Sequence, residues 1–399
     1  MKLLFLHNEF PGQYRHLAAA LAADRGNQVV FASAGGQGKL AGGHRLTYRA
    51  ARPVAGGVHP YLRWTEGAVL TGQAVYRLGQ RLKAAGFVPD VVCAHSGWGP
   101  ALYVRELFPD CRLIGYFEWY YRSRDSDADF LGDDALGDDD RCRLRTRNAT
   151  LLLDLAECDT AVTPTAFQRD RFPERLRPLL TQLHDGVDTA WLQPEPKARL
   201  VLPGLDLSGA GEIVTYATRG QEPYRGFPQF MRAVALLQRR RPKLQVVVAG
   251  DDRVVYGRRL PEGESWRARM LAELPGLDPS RLHFTGTLPP EQYRLLLQAS
   301  SAHVYLTVPF VLSWSLLDAL ACGCAVVGSD TTPVREVVEH GVNGLLADFF
   351  LPDDIADKVE TLLDDRTLAG RLRREARWTV LERYALEDLL PRQMDLVTG

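Results

Sequence analysis

Short runs of β-branched and aliphatic residues alternate with longer segments of helical periodicity along the whole chain. No other feature constrains the fold as tightly. Strands are predicted at Leu3–His7, Gln28–Ser33, Val91–His95, Arg112–Phe117 and Asp159–Thr163, then at Ile213–Ala217, Leu244–Ala249, Leu282–Thr285, His303–Leu306 and Ala325–Ser329. Helical spacing is clearest at Tyr14–Ala23, Thr71–Ala85, Arg141–Ala156, Pro228–Arg239, Pro290–Gln298, Ser315–Ala321 and Pro333–His340. Strand–helix alternation of this kind builds parallel sheets covered on both faces. The 399 residues are too many for one such core and suit two. A Pro/Gly-rich stretch, Leu192–Lys197 and then Leu202–Gly211, divides the chain almost evenly and reads as the linker. The expected organisation is therefore α/β, with two doubly wound, Rossmann-like parallel-sheet domains at 1–195 and 212–366. A helical segment at 367–399 should pack back toward the first domain.

Composition narrows the function by exclusion. The 48 basic and 49 acidic residues nearly cancel, so no nucleic-acid partner is expected. The apolar run at the start, Leu3–Leu6, is too short for a signal peptide, and no stretch approaches a membrane span, so a cytoplasmic location is expected. The basic amphipathic segment Thr367–Tyr384 allows at most a weak peripheral membrane contact and is better read as a terminal helix packed on the body. Cys322-Gly323-Cys324 has neither metal-ligand nor redox spacing and reads as buried thiols. The acidic stretch Asp125–Asp140, with Asp138-Asp139-Asp140 at its end, reads as a solvated loop rather than a metal-binding motif.

Ligands of open parallel sheets bind beyond the carboxyl ends of the strands, which ranks the loops. Gly12, in the loop after the first strand, permits close backbone approach ahead of a helix N-terminus. His95 and Trp98 follow another strand, and Glu118, Trp119 and Tyr120 follow the next. A carboxylate beside aromatic rings suits a sugar, whose hydroxyls bond the carboxylate while its C–H face packs on a ring. In the second half, Arg219 and Arg225 bracket a turn, and guanidinium forks match diphosphate oxygens. Ser313, Trp314 and Ser315 open a helix whose N-terminus favours phosphate, and Asp318 could accept two ribose hydroxyl bonds.

These residues resemble a known family: the retaining, nucleotide-sugar-dependent glycosyltransferases of the GT-B fold, family 4. Gly186-Val187-Asp188 resembles its G-V-D, Arg219 its phosphate arginine, and Arg225 falls near its usual lysine. Leu317–Gly323 is similar to its L-E-A-M-A-x-G, and Gly341–Leu346 to its G-x-N-G-x-L. The resemblance implies a cleft between two domains and transfer, with retention and without a metal, from a nucleoside diphosphate sugar to a hydroxyl acceptor. It implies catalytic roles for Arg219, Arg225 and Glu118. The base would meet Gly286, Thr287 and Leu288; Gly12, Ser313, Trp314, Ser315 and Asp318 would meet the donor; His95, Trp98, Trp119 and Tyr120 would wall the sugar and acceptor. Two positions depart from the pattern. Phe310 stands where the first Glu of E-x7-E is usual, and Glu118 where a strand-end His is usual. An epimerase of the same layout, or a non-catalytic sugar-nucleotide-binding subunit, are the alternative readings.

Overall fold

The computed structural model describes residues 1–132 and 136–399. The chain divides into two compact units, Met1–Gly186 with Leu386–Gly399, and Val187–Ala385.

The first unit is built on a seven-stranded parallel sheet: β1 (Lys2–Phe10), β2 (Gln28–Gly36), β3 (His44–Thr47), β4 (Val91–His95), β5 (Arg112–Tyr116), β6 (Thr160–Thr163) and β7 (Leu180–Gln182). Its order is β3-β2-β1-β4-β5-β6-β7, so the winding reverses between β1 and β4. Leu3–Leu6 and Val29–Ala32 are buried throughout, as a sheet covered on both faces requires. One face packs on the helix Arg15–Ala23 through Leu17 and Leu21, and the other on Arg63–Ala84 through Val75 and Leu78. The last helix, Leu386–Thr398, adds Leu389 and Val397 to the first of these cores.

In the second unit a two-residue-strand hairpin, β8 (Val201–Leu202) and β9 (Leu205–Asp206), precedes a six-stranded parallel sheet. Its strands are β10 (Ile213–Gly220), β11 (Gln245–Asp251), β12 (Leu282–Gly286), β13 (Ala302–Tyr305), β14 (Val326–Ser329) and β15 (Leu345–Ala347). The order is β12-β11-β10-β13-β14-β15, with the reversal between β10 and β13. Both units are thus doubly wound, and together they make the GT-B architecture.

Several expectations are corrected. The boundary falls at Gly186/Val187, because the expected linker is folded into the second unit: Leu192, Leu200 and Leu202 are core residues there. The segment 367–399 is not one body. The helix Arg366–Arg383 packs on Trp314–Ala321 within the second unit, through Ala376 and Val380, and only Leu386–Thr398 joins the first. The helix expected over Arg141–Ala156 is two helices, Asp138–Arg147 and Ala149–Glu157, broken at Asn148. Asn148 is buried, with its side-chain amide accepting from Tyr121 N–H and donating to Tyr121 C=O, both at 2.9 Å. The acidic stretch is not a single loop either. Asp127–Phe130 is a short helix capped by Ser126, and Asp138–Asp140 form the first turn of a helix, where carboxylates favour the positive dipole end. Asp133 and Asp134 lie outside the described residues. No helix among the described residues is long and apolar enough to cross a membrane.

Candidate active site

In the first unit, the carboxyl ends of β1, β4 and β5 bring together a chain of polar side chains at the winding reversal. His7 ends the buried run of β1 and is 8% exposed. Its Nδ1 accepts the Glu9 N–H at 2.8 Å, so its proton sits on Nε2 and is donated to Gln13 Oε1 at 2.7 Å. That fixes the Gln13 amide with its NH₂ turned to Glu118 Oε1, 2.9 Å away. The other carboxylate oxygen lies 3.6 Å from His95 Nε2. Burial pushes the Glu118 carboxyl up, but His95, His7 and Gln13 together outweigh it, and the group is held below the usual range. It is ionised at neutral pH, with one quarter of its side chain exposed.

Gly12 contributes differently from its expected role. It has φ +51°, and a Cβ there would come within 2.6 Å of the His7 ring. It lets His7 lie under the loop, so Gly12→Ala should cost on the order of 2 kcal/mol in stability and misplace Gln13. Urea unfolding and the activity assay together check this. Neither His7 nor Gln13 was a sequence candidate. The signal available was a strand-end histidine followed by the polar loop Asn8–Gln13.

His95 is 4% exposed, so it is a partner of Glu118 rather than a wall. Trp119 and Tyr120 are buried too, against Phe167 and Phe172, and this corrects the expectation that they face a sugar. Three successive aromatics cannot all face solvent when Ala166–Asp170 and Phe172 cover the chain there. The exposed ring is Trp98, 36% accessible and 4.6 Å from Trp64.

Two buried groups in this unit titrate in opposite senses. Burial and the neighbouring His95 push His7 down from 6.5 to about 3, whereas burial pushes Asp154 up from 3.8 to about 7. His7 therefore destabilises the fold as pH falls below 6.5, and Asp154 destabilises it as pH rises from 3.8 through 7. Between pH 7 and 5 each effect is about 2 kcal/mol and they nearly cancel. Over that interval Asp154→Asn should become less stable and His7→Gln more stable, by about 2 kcal/mol each way in urea titrations.

In the second unit, Arg219 is exposed at the end of β10. Arg225 is instead 5% exposed, in the turn Pro223–Arg225, and its Nη1 bonds Thr307 Oγ1 at 2.8 Å, Val311 O at 3.2 Å and Tyr305 OH at 3.4 Å. Tyr256 and Phe310 lie over its guanidinium at 5.0 and 5.9 Å. Much of its bonding capacity is thus spent in tying the Thr307–Val311 loop, which two surface arginines would not do. Glu222, fully buried, holds Tyr256 in place by accepting N–H bonds from Val255, Tyr256 and Gly257 at 2.7–3.1 Å.

Ser313 caps the helix Trp314–Ala321, its Oγ accepting Ser315 N–H at 3.3 Å, and its own N–H donates to Tyr305 OH at 2.9 Å. Asp318, one turn in, accepts from Tyr293 OH at 3.2 Å. Thr287 and Leu288 line an open cavity of about 410 Å³ beside the β8–β9 hairpin, and Thr287 Oγ1 donates to Asp251 at 2.6 Å. Gly286 precedes it at φ +68°.

Two family descriptions match this chain. "Glycosyl transferase family 4 group" matches residues 25–192, and "Glycosyl transferases group 1" matches residues 208–379. The chain belongs to the family 4 glycosyltransferases. A D-inositol 3-phosphate glycosyltransferase of Arthrobacter sp. (strain FB24) is 30% identical over 200 residues, 48% of this chain and 43% of that protein. An N-acetyl-alpha-D-glucosaminyl L-malate synthase of Bacillus anthracis is 32% identical over 75 residues, 19% and 20% of the two chains. This chain thus spans less than half the length of these curated relatives. Among solved structures, Anabaena HepE in complex with UDP and glucose superposes with a TM-score of 0.72 at 14% identity, over 100% of this chain and 99% of that one. Sucrose-phosphate synthase from Thermosynechococcus elongatus gives 0.72 at 15%, over 99% and 98%. These two share the fold.

Proposed function

We propose that this family 4 member transfers a sugar from a nucleoside diphosphate sugar to a hydroxyl acceptor, with retention of configuration. The observation that carries the reading is the ionised Glu118, fixed by Gln13 and His95 at the winding reversal of its sheet. Its counterpart in the second unit is the reversal bearing Arg219 and a serine-capped helix N-terminus. The solved complexes of HepE with UDP and with UDP-glucose support a uridine nucleotide as the first donor to try.

In this reading Arg219 and the N–H groups at Ser313–Ser315 neutralise charge growing on the leaving diphosphate. Preorganised donors of this kind act where charge develops and need no reorganisation during the reaction. Arg225 holds the Thr307–Val311 loop against Tyr256, shaping the donor site from behind. Asp318 takes the ribose hydroxyls, and Thr287 and Leu288 meet the base. Glu118 accepts a sugar hydroxyl. A departing phosphate oxygen takes the acceptor's proton on the face that the leaving group vacates, which keeps the configuration. A guanidinium and a helix end supply the positive charge, so transfer should persist unchanged in excess EDTA. Loss of activity that Mg²⁺ restores would contradict this assignment. Proton NMR of the product formed from UDP-glucose tests the stereochemistry: the α-anomer is expected, and a β-linked product would refute retention.

A further inference from the structure

We propose that the loop Ser96–Gly99 is a built acceptor subsite for a neutral pyranose ring, with Trp98 as its stacking face; this rests on the transferase reading. The Gly97 peptide is held at both ends. Its N–H donates to Asp154 Oδ2 at 2.7 Å, and its C=O accepts from Thr150 Oγ1 at 2.9 Å and Trp64 Nε1 at 3.3 Å. Gly97 has φ +84°, with Leu151 packed where a Cβ would point. Asp154 is 2% exposed, and its second oxygen has no hydrogen-bond partner among the described residues. A buried carboxyl group with one oxygen unpaired is costly, and here its single bond is spent on holding one loop peptide.

The beneficiary is the next residue. Trp98 stays one-third exposed while its ring is braced by Trp64 at 4.6 Å. Trp64 is in turn backed by the Arg147 guanidinium, which stacks 3.6 Å from it and 3.9 Å from Tyr121. Ordering an exposed indole this way before any ligand arrives removes the entropy cost from binding. His95, whose ring centroid is 6.4 Å from that of Trp98, also touches Glu118. An aromatic face linked through His95 to an ionised carboxylate matches a ring with one C–H face and donating hydroxyls. The same carboxylate repels an anionic acceptor such as a small dicarboxylate or a sugar phosphate. The subsite therefore selects a neutral glycoside.

The test is a tryptophan-fluorescence titration of the full chain, with and without saturating UDP, using methyl pyranosides and the disaccharides maltose, lactose and cellobiose. Malate and inositol phosphate serve as anionic probes. The expected result is a saturable change with at least one neutral sugar and none with the anions. Trp98→Ala should weaken that affinity at least tenfold, and Trp98→Phe should restore most of it. Asp154→Ala should weaken the same sugar's binding while UDP binding is unchanged. Sugar binding indifferent to Trp98, binding of the anions, or no sugar binding would each overturn the proposal. Sugar binding without any transfer would instead count against the transferase reading and leave the subsite standing.

Discussion

Glu118→Gln is expected to lower sugar transfer by roughly 10²- to 10³-fold, the range seen when one preorganised charge or donor is removed. The fold should not suffer. The new amide oxygen can still accept from Gln13, and the side chain keeps its volume. The melting temperature and the dissociation constant for UDP should both stay near the unaltered values. The pH dependence provides a second check. Because His95, His7 and Gln13 hold Glu118 below the usual carboxylate range, the unaltered enzyme should lose activity only on strong acidification. The variant, with no group to protonate there, should lack that acid limb. Near-normal transfer by the variant would remove Glu118 from the reaction.

The second large effect separates the two arginines. Arg219→Ala should reduce turnover by about 10²- to 10³-fold with an unchanged unfolding midpoint, since the side chain is exposed and its proposed work is done on the diphosphate. Arg225→Ala should also lose turnover, but it should unfold more easily, by about 3 kcal/mol. It would leave Thr307, Tyr305 and the Val311 carbonyl without their shared buried donor. The sequence treats the two arginines alike, as one diphosphate clamp; the burial of Arg225 is what parts them. Urea denaturation of the two variants side by side reads the difference. Equal stabilities would argue that Arg225 is a second surface clamp after all.

The central strands were legible because their apolar runs, such as Leu3–Leu6 and Val246–Val248, are continuous and bounded by polar turns. The outer strands β3, β7 and β15 were not: His44–Thr47 and Leu180–Gln182 are largely polar edge segments without a buried apolar run, and Leu345–Ala347 is only three residues long. The hinge was misread for a physical reason. Proline and glycine report local backbone chemistry, whereas Leu192 and Leu202 within that stretch are held in the cores of the second unit. Glu118, Arg219 and Asp318 could be singled out as candidates because each follows or opens an element at a carboxyl edge. The neighbours that give them their character could not. The His7–Gln13 bond depends on a tautomer set by the Glu9 backbone, and the Asp154–Gly97 bond joins residues 57 positions apart. The Trp119–Tyr120 misreading shares that cause, because burial there comes from residues 166–172.

The central claim is that this chain moves a sugar from a nucleotide to an acceptor. It is tested most directly by incubating the full chain with UDP-glucose labelled in the sugar, a panel of neutral glycosides, and Glu118→Gln and Arg219→Ala in parallel. Label should pass to a glycoside in the unaltered protein and fall at least a hundredfold in both variants. Conversion of the donor alone into another sugar nucleotide, or nucleotide binding with no label leaving UDP in the presence of any acceptor, would contradict it.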